Sequence, residues 1–219
     1  MKNNKHILIL LFITLFLSSC MPTRHYINNV VKTGEIDKSS TKQILIAGND
    51  KVELNNFKKT FEKNFKTDKA FLESYLNEFR TYIKLNNQYS KVEIDANKNW
   101  DLLAEGYNAG NQNSINLLFL NTNQNYLFYI KGFKIDNRIV TSYSPGFGPG
   151  SFGQHNSTEF CVVTTKFAVY DIKKQKQLLE FDAIGESSVF MFDFTKTLLK
   201  AKARSIENAV KYIKTGKTS

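Results

Sequence analysis

Two runs of alternating apolar and polar residues, 158–172 and 177–187, flank the polar turn 173–176 (KKQK) and constrain this chain more than any other feature. A period of two puts Leu179, Phe181, Ala183 and Gly185 on one face of the second run. Two such runs across a short polar turn predict an antiparallel hairpin. One apolar face cannot remain open to water, so the rest of the chain must supply strands beside it and helices over it. Residues 126–135 (YLFYIKGFKI) predict a further strand, returning through 138–143 across Asp136 and Asn137. Short strands are predicted at 43–47 (QILIA) and 91–95.

The covering helices are legible as stripes. Leu54, Phe57, Phe61 and Phe65 recur at helical spacing. A second helix, capped by Thr67 or Asp68, carries Phe71, Leu72, Tyr75, Leu76, Phe79 and Ile83 on one side. Residues 193–214 predict a long final helix with Leu198, Leu199, Ala203, Ile206, Val210 and Ile213 inward. Between 95 and 125 the chain is asparagine-rich and reads as loops, with a short helical piece near 100–105. Aromatic stripes at this spacing are core rather than a ligand box. The expected class is α+β, a mostly antiparallel sheet with helices packed on one face. With 42% hydrophobic residues and 18 phenylalanines, the chain can fill such a core.

The amino terminus sets an address. Lys2 and Lys5 precede the apolar run 7–17 (ILILLFITLFL), which ends in Leu17, Ser18, Ser19 and Cys20. As a helix that run reaches about 16 Å, short of the roughly 30 Å hydrocarbon core, so it reads as a secretory signal rather than a span. The ending L-S-S-C resembles the lipobox of bacterial lipoproteins, in which the signal is cut before the cysteine and the cysteine is acylated. The resemblance implies a signal at 1–19, lipidation at Cys20, and attachment to the membrane through acyl chains. Residues 20–41, polar and without a sustained period, read as a flexible tether spanning roughly 25 Å. A single α+β domain is expected over 42–219. No acidic run follows Cys20, so the domain is expected to face the periplasm from the outer membrane. With Cys20 acylated, Cys161 is left alone and reads as a buried structural thiol.

The chemical inventory is spare. Of three histidines, His6 falls in the signal, His25 in the tether, and His155 in the body, which leaves no metal-binding cluster. A hydrolase would have to use His155 with Ser151 or Ser157, and no G-x-S-x-G elbow holds either serine. Asp171 and Asp182 flank the hairpin turn but read as solvated charges. Gly148, Gly150 and Gly153 match G-x-G-x-x-G in spacing only; no helix follows to receive a phosphate, and no cofactor is expected. The loop 142–157 instead carries Phe147 and Phe152 between Tyr143 and His155. Three fates are open to such rings: insertion into a partner, dipping into a bilayer surface, or folding back onto the sheet. The four residues are the candidate partner-binding set. The net charge of +10 favours anionic partners. Outside the cytoplasm these are acidic lipid headgroups, lipopolysaccharide phosphates or an acidic protein face, and not nucleic acid. The lysines are nevertheless spread along the chain, as on an ordinary solvated surface.

One further likeness concerns the carboxyl-terminal half. The loop GFGPGSFG, the hairpin FAVYDIKKQKQLLEFDAIG and the helix IENAVKYI resemble a broad group of envelope lipoproteins. Their wider architecture is similar to the amino-terminal domain of the TolB translocation protein and to the curli-secretion lipoproteins. Asp171, Leu179, Phe181, Ala183 and Gly185 occupy the matching places, with Phe181 where the group commonly carries tryptophan. The resemblance implies a role in envelope assembly or maintenance and transfers no catalytic residue. The expected function is a non-enzymatic binding or adaptor module with an envelope protein as partner. The alternatives are a carrier of lipid or a small apolar ligand, and an envelope hydrolase. The loop and an exposed strand edge are the expected contact elements.

Overall fold

A computed structural model describes residues 25–39, 41–86, 89–95, 100–104, 112–120, 122–144 and 152–218. The signal, Cys20 and Phe147 lie outside the described residues. In chain order the elements are β1 (Ile27–Lys32), β2 (Gln43–Gly48), β3 (Val52–Leu54), α1 (Lys58–Phe65), α2 (Asp68–Leu85), β4 (Lys91–Ile94), α3 (Asp101–Ala104), α4 (Gln112–Leu120), β5 (Tyr126–Ser144), β6 (Gln154–Asp171), β7 (Lys176–Ser188) and α5 (Phe194–Thr215). The strands form one sheet in the order β1-β7-β6-β5-β2-β4, with β3 also on β5. The fold is α+β, as the sequence patterning predicts. Its long ladders are antiparallel, while the short strands β2, β3 and β4 join in parallel.

The predicted hairpin is the middle of the sheet. Phe167 pairs with Phe181 and Thr165 with Ala183, and the two phenylalanine rings stack at 5.2 Å. Leu179, Phe181, Ala183 and Gly185 share one buried face, over which α2 and α5 lie. Thr67 caps α2 by accepting the Ala70 N–H at 3.1 Å, and Asp193 caps α5 through the Lys196 N–H at 3.0 Å. Phe71 meets Phe133 edge to face at 4.9 Å, and Tyr75 lies 5.0 Å from the same ring. Each such ring contributes about 1.5–3 kcal/mol by leaving water, so the aromatic stripe holds the helical layer to the sheet.

The other face carries a smaller cover. Trp100, Leu103 and Phe119, on and beside α3 and α4, pack over Leu45, Ala47, Leu127, Tyr129, Ala168 and Tyr170. Tyr126 to Ile130 are consequently buried without alternation, because both faces are covered there.

Several expectations change: residues 112–120, expected as loop, form α4, and Leu199, expected inward, is exposed. Residues 27–32, assigned above to the tether, form β1: Ile27 is buried, Ile27 pairs with Ala183, and Lys32 pairs with Leu179. The folded body therefore begins well before residue 42. Asp136 and Asn137 do not turn the chain; β5 runs through them, paired with Val162 and Cys161. Their side chains find partners without a turn, since Asp136 accepts from Asn55 at 3.3 Å and Asn137 donates to Glu159 at 2.9 Å. Finally, α1 begins at Lys58, with Leu54 in β3 and Phe57 as a left-handed helix cap at φ 60°.

Candidate functional site

The length of β5 and β6 creates the surface of interest. Their ladder runs from the Tyr126–Asp171 pair to the Ser144–Gln154 pair. Neighbouring strands do not follow that far. β3 leaves β5 at Ile135, and β7 leaves β6 at the Phe160–Ser188 pair. From Arg138 to Ser144, paired with 154–160, the two strands form a ribbon that extends about 20 Å past the sheet. Its base is fixed. Arg138 holds Glu186 through two hydrogen bonds of 2.9 and 3.2 Å and lies 4.4 Å over the Phe160 ring. Val189 N–H donates to the Glu159 carbonyl at 2.8 Å.

Beyond the base the ribbon is exposed and carries apolar groups. Ile139 is 62% exposed, Tyr143 59% and Phe152 96%. Tyr143 and His155 are register partners, with rings 4.9 Å apart. Gly153 lies against the Tyr143 ring so closely that a Cβ there would fall 2.0 Å from the phenol oxygen. Three of the four expected partner-binding residues, Tyr143, Phe152 and His155, are thus gathered at the outer end of one arm; Phe147 is not described. Among the described residues no strand pairs with either outer edge of the arm beyond Glu159, the arrangement that accepts an added strand. The sheet's outermost strand is a poorer template, because a bulge with Asn29 at φ 51° interrupts the β1 register.

The other candidates are kept apart. Ser157 shares its hydroxyl hydrogen bond with Thr141 at 3.0 Å, across the ribbon rather than toward His155. Asp171 pairs with Lys176 and accepts the Lys174 N–H at 2.9 Å, a turn-capping role. Asp182 pairs with Lys166, about 17 Å up the strand, and accepts from Asn29 at 2.6 Å. Cys161 is fully buried, and burial pushes its thiol up to about 12. No group of three or more metal-binding side chains is gathered among the described residues. A groove of about 470 Å³ at the β2–β4 edge is lined by Arg80, Glu93, Asp95 and Gln124 beside Leu45 and Val92, a polar setting. No described helix is long and apolar enough to cross a membrane.

Two apolar features escaped the sequence patterning. Ile139 falls in the segment expected to return as a strand, and Phe190, Met191 and Phe192 fall just before the helix expected from residue 193, where the patterning assigns them no role. A run of three large apolar residues directly before a capping aspartate was the available signal.

No family model matches this chain, and no curated protein does. Some solved structures share its outline. A protein described as a neuraminyllactose-binding hemagglutinin homolog from Helicobacter pylori is 8% identical, with a TM-score of 0.42 over 81% of this chain and 90% of that one. The hypothetical protein CT253 from Chlamydia trachomatis is 9% identical, with a TM-score of 0.44 over 78% and 98%. PelC from Paraburkholderia phytofirmans, a dodecamer, is 8% identical, with a TM-score of 0.38 over 81% and 96%. Likeness at this level says nothing of function.

Proposed function

We propose that this chain is a non-catalytic binding module of the cell envelope, held in the outer membrane by acyl chains on Cys20 and facing the periplasm. The observation that carries the reading is the β5–β6 arm. Among the described residues it leaves the sheet with no strand on either outer edge, and it presents Ile139, Tyr143 and Phe152 to solvent. Exposed aromatics on a two-stranded support suit capture of a protein partner. Strand addition along the arm supplies affinity, and the rings supply selectivity. Two or three acyl chains give stable anchoring, whereas a single chain exchanges.

The test is a photo-crosslinking residue placed in cells at Tyr143 or Phe152, with Lys173 in the β6–β7 turn as control. One envelope protein crosslinked from both arm positions and not from Lys173 supports the reading. Crosslinks equal at all three positions, or none from the arm, overturn it.

A further inference from the structure

We infer that Phe190, Met191 and Phe192, with the lysines around them, form a docking surface for an anionic phospholipid bilayer. These residues make the turn between β7 and α5 and are 71%, 81% and 85% exposed. The turn is not loose. Met191 and Phe192 sit in the left-handed region at φ 48° and 60°, Asp193 N–H donates to the Phe190 carbonyl at 3.0 Å, and Phe194 N–H donates to that of Phe192 at 3.0 Å. Phe194, next in the chain, turns inward and meets Phe57 at 5.9 Å. The backbone is therefore rooted while three large apolar side chains point outward.

Their surroundings are cationic. Phe192 shares a groove of about 320 Å³ with Lys59 and Lys63 of α1, and Lys196 stands exposed in the first turn of α5. The nearby acids are Asp193, which accepts the Lys196 N–H, and Glu62 on α1. Apolar tips ringed by lysines match the layering of an anionic bilayer: acyl chains receive the rings, and headgroup phosphates receive the ammonium groups.

The chain's own course points the same way. Ile184 N–H donates to the Tyr26 carbonyl at 2.8 Å, so the chain enters the fold beside Ile184, four residues short of the β7 end at Ser188 that leads into this turn. From His25 back to Cys20 the chain spans at most about 17 Å. An acylated Cys20 therefore holds the turn's end of the sheet against the membrane. That step rests on the anchor proposed above; the composition of the turn does not. The arm leaves the same end of the sheet and runs past this turn, so docking of the turn requires the strands to lie along the membrane plane, with the arm among the headgroups.

The test uses the full chain purified from membranes and placed in vesicles of phosphatidylcholine and phosphatidylglycerol. Met191→Cys carries an environment-sensitive fluorophore, and Lys173→Cys, at the far end of the sheet, carries the control; buried Cys161 does not compete for label. Nitroxide-bearing lipid should quench residue 191 and leave residue 173 bright. The quenching should weaken in phosphatidylcholine alone and with Lys59→Glu plus Lys63→Glu. Equal quenching at 191 and 173, or shielding of residue 191 by a co-purifying protein without lipid quenching, overturns the proposal. The intact mass of the same sample reads acylation at Cys20. A quenched turn on an unacylated chain removes the anchor alone, and an unquenched turn on an acylated chain removes the docking surface alone.

Discussion

Gly185 passes directly beneath Ser205: a Cβ built on the glycine would fall 2.3 Å from the serine's backbone nitrogen and 2.0 Å from the Ala201 carbonyl oxygen. Both are backbone atoms of α5 and cannot swing aside. The contact sets how closely the helix lies on β7. It also aligns the buried hydroxyls of Tyr75, Ser205 and Thr165, linked at 2.8 Å each. Gly185→Ala should therefore lower the unfolding free energy by about 1–3 kcal/mol, the cost of overpacking a close interface. Urea denaturation checks this, and an unchanged midpoint would mean that α5 moves off freely.

Lys202 lies on α5 with its side chain only 5% exposed, its ammonium 2.7 Å from Glu78 and 2.8 Å from the Ser74 hydroxyl. Glu78→Gln leaves that charge without its counterion inside the helical layer. Glu78 is partly open to water, which tempers the cost to about 1–3 kcal/mol. Lys202→Met added to Glu78→Gln should recover most of the loss, since the methionine fills the same space against Phe65 without a charge. Thermal melts of the single and double variants decide it.

Cys161 gives a pH signature. Burial, and secondarily Glu159, raises its thiol from the ordinary 9.0 to about 12. The folded chain thus holds this proton more tightly than the unfolded one. The associated stability is intact below about pH 9 and drains away between there and about pH 12. Buried Tyr75 and partly buried Tyr89 are raised as well and act in the same direction. Unfolding free energy should fall across this window, and less steeply in Cys161→Ala. At neutral pH the native thiol should resist iodoacetamide and react only at the rate of unfolding.

Tyr143→Ser with Phe152→Ser removes the arm's exposed rings. Neither residue supports the core, so stability should stay within about 0.5 kcal/mol of wild type. Crosslinking to an envelope partner from a photo-reactive residue at Ile139 should nonetheless disappear. Retained capture by the folded double variant would move the binding surface elsewhere.

The parts of the fold that were legible in the sequence are those whose pattern is dictated by one neighbour. The β6–β7 hairpin shows its period of two because one face meets α2 and α5, and those helices show stripes for the same reason. The strand β1 (INNVVK) has no such period; its partner lies some 150 positions later in the chain, and only Ile27 is buried. Asp136 and Asn137 carry the local signal of a turn, but the ladder to Val162 and Cys161 and the side-chain bonds to Asn55 and Glu159 override it. α4 was hidden by its asparagines. At the candidate site, Tyr143, Phe152 and His155 were found as members of one loop. That they cap a ribbon extending past the sheet depends on where β3 and β7 stop, which no local pattern records.

β5 runs unbroken from beneath the helices out into the arm. A pull on the arm along its axis is therefore a shearing force, shared at once by the ladders to β2, β3 and β6. Bonds arranged that way resist together, whereas a peeling force would open them one at a time. A sideways push at Ser144 instead turns the strand as a lever, with its fulcrum near Ile135 where β3 ends its pairing. Displacement along β5 would be passed toward Phe133, whose ring packs on Tyr75, because the exposed ribbon and the core share one strand.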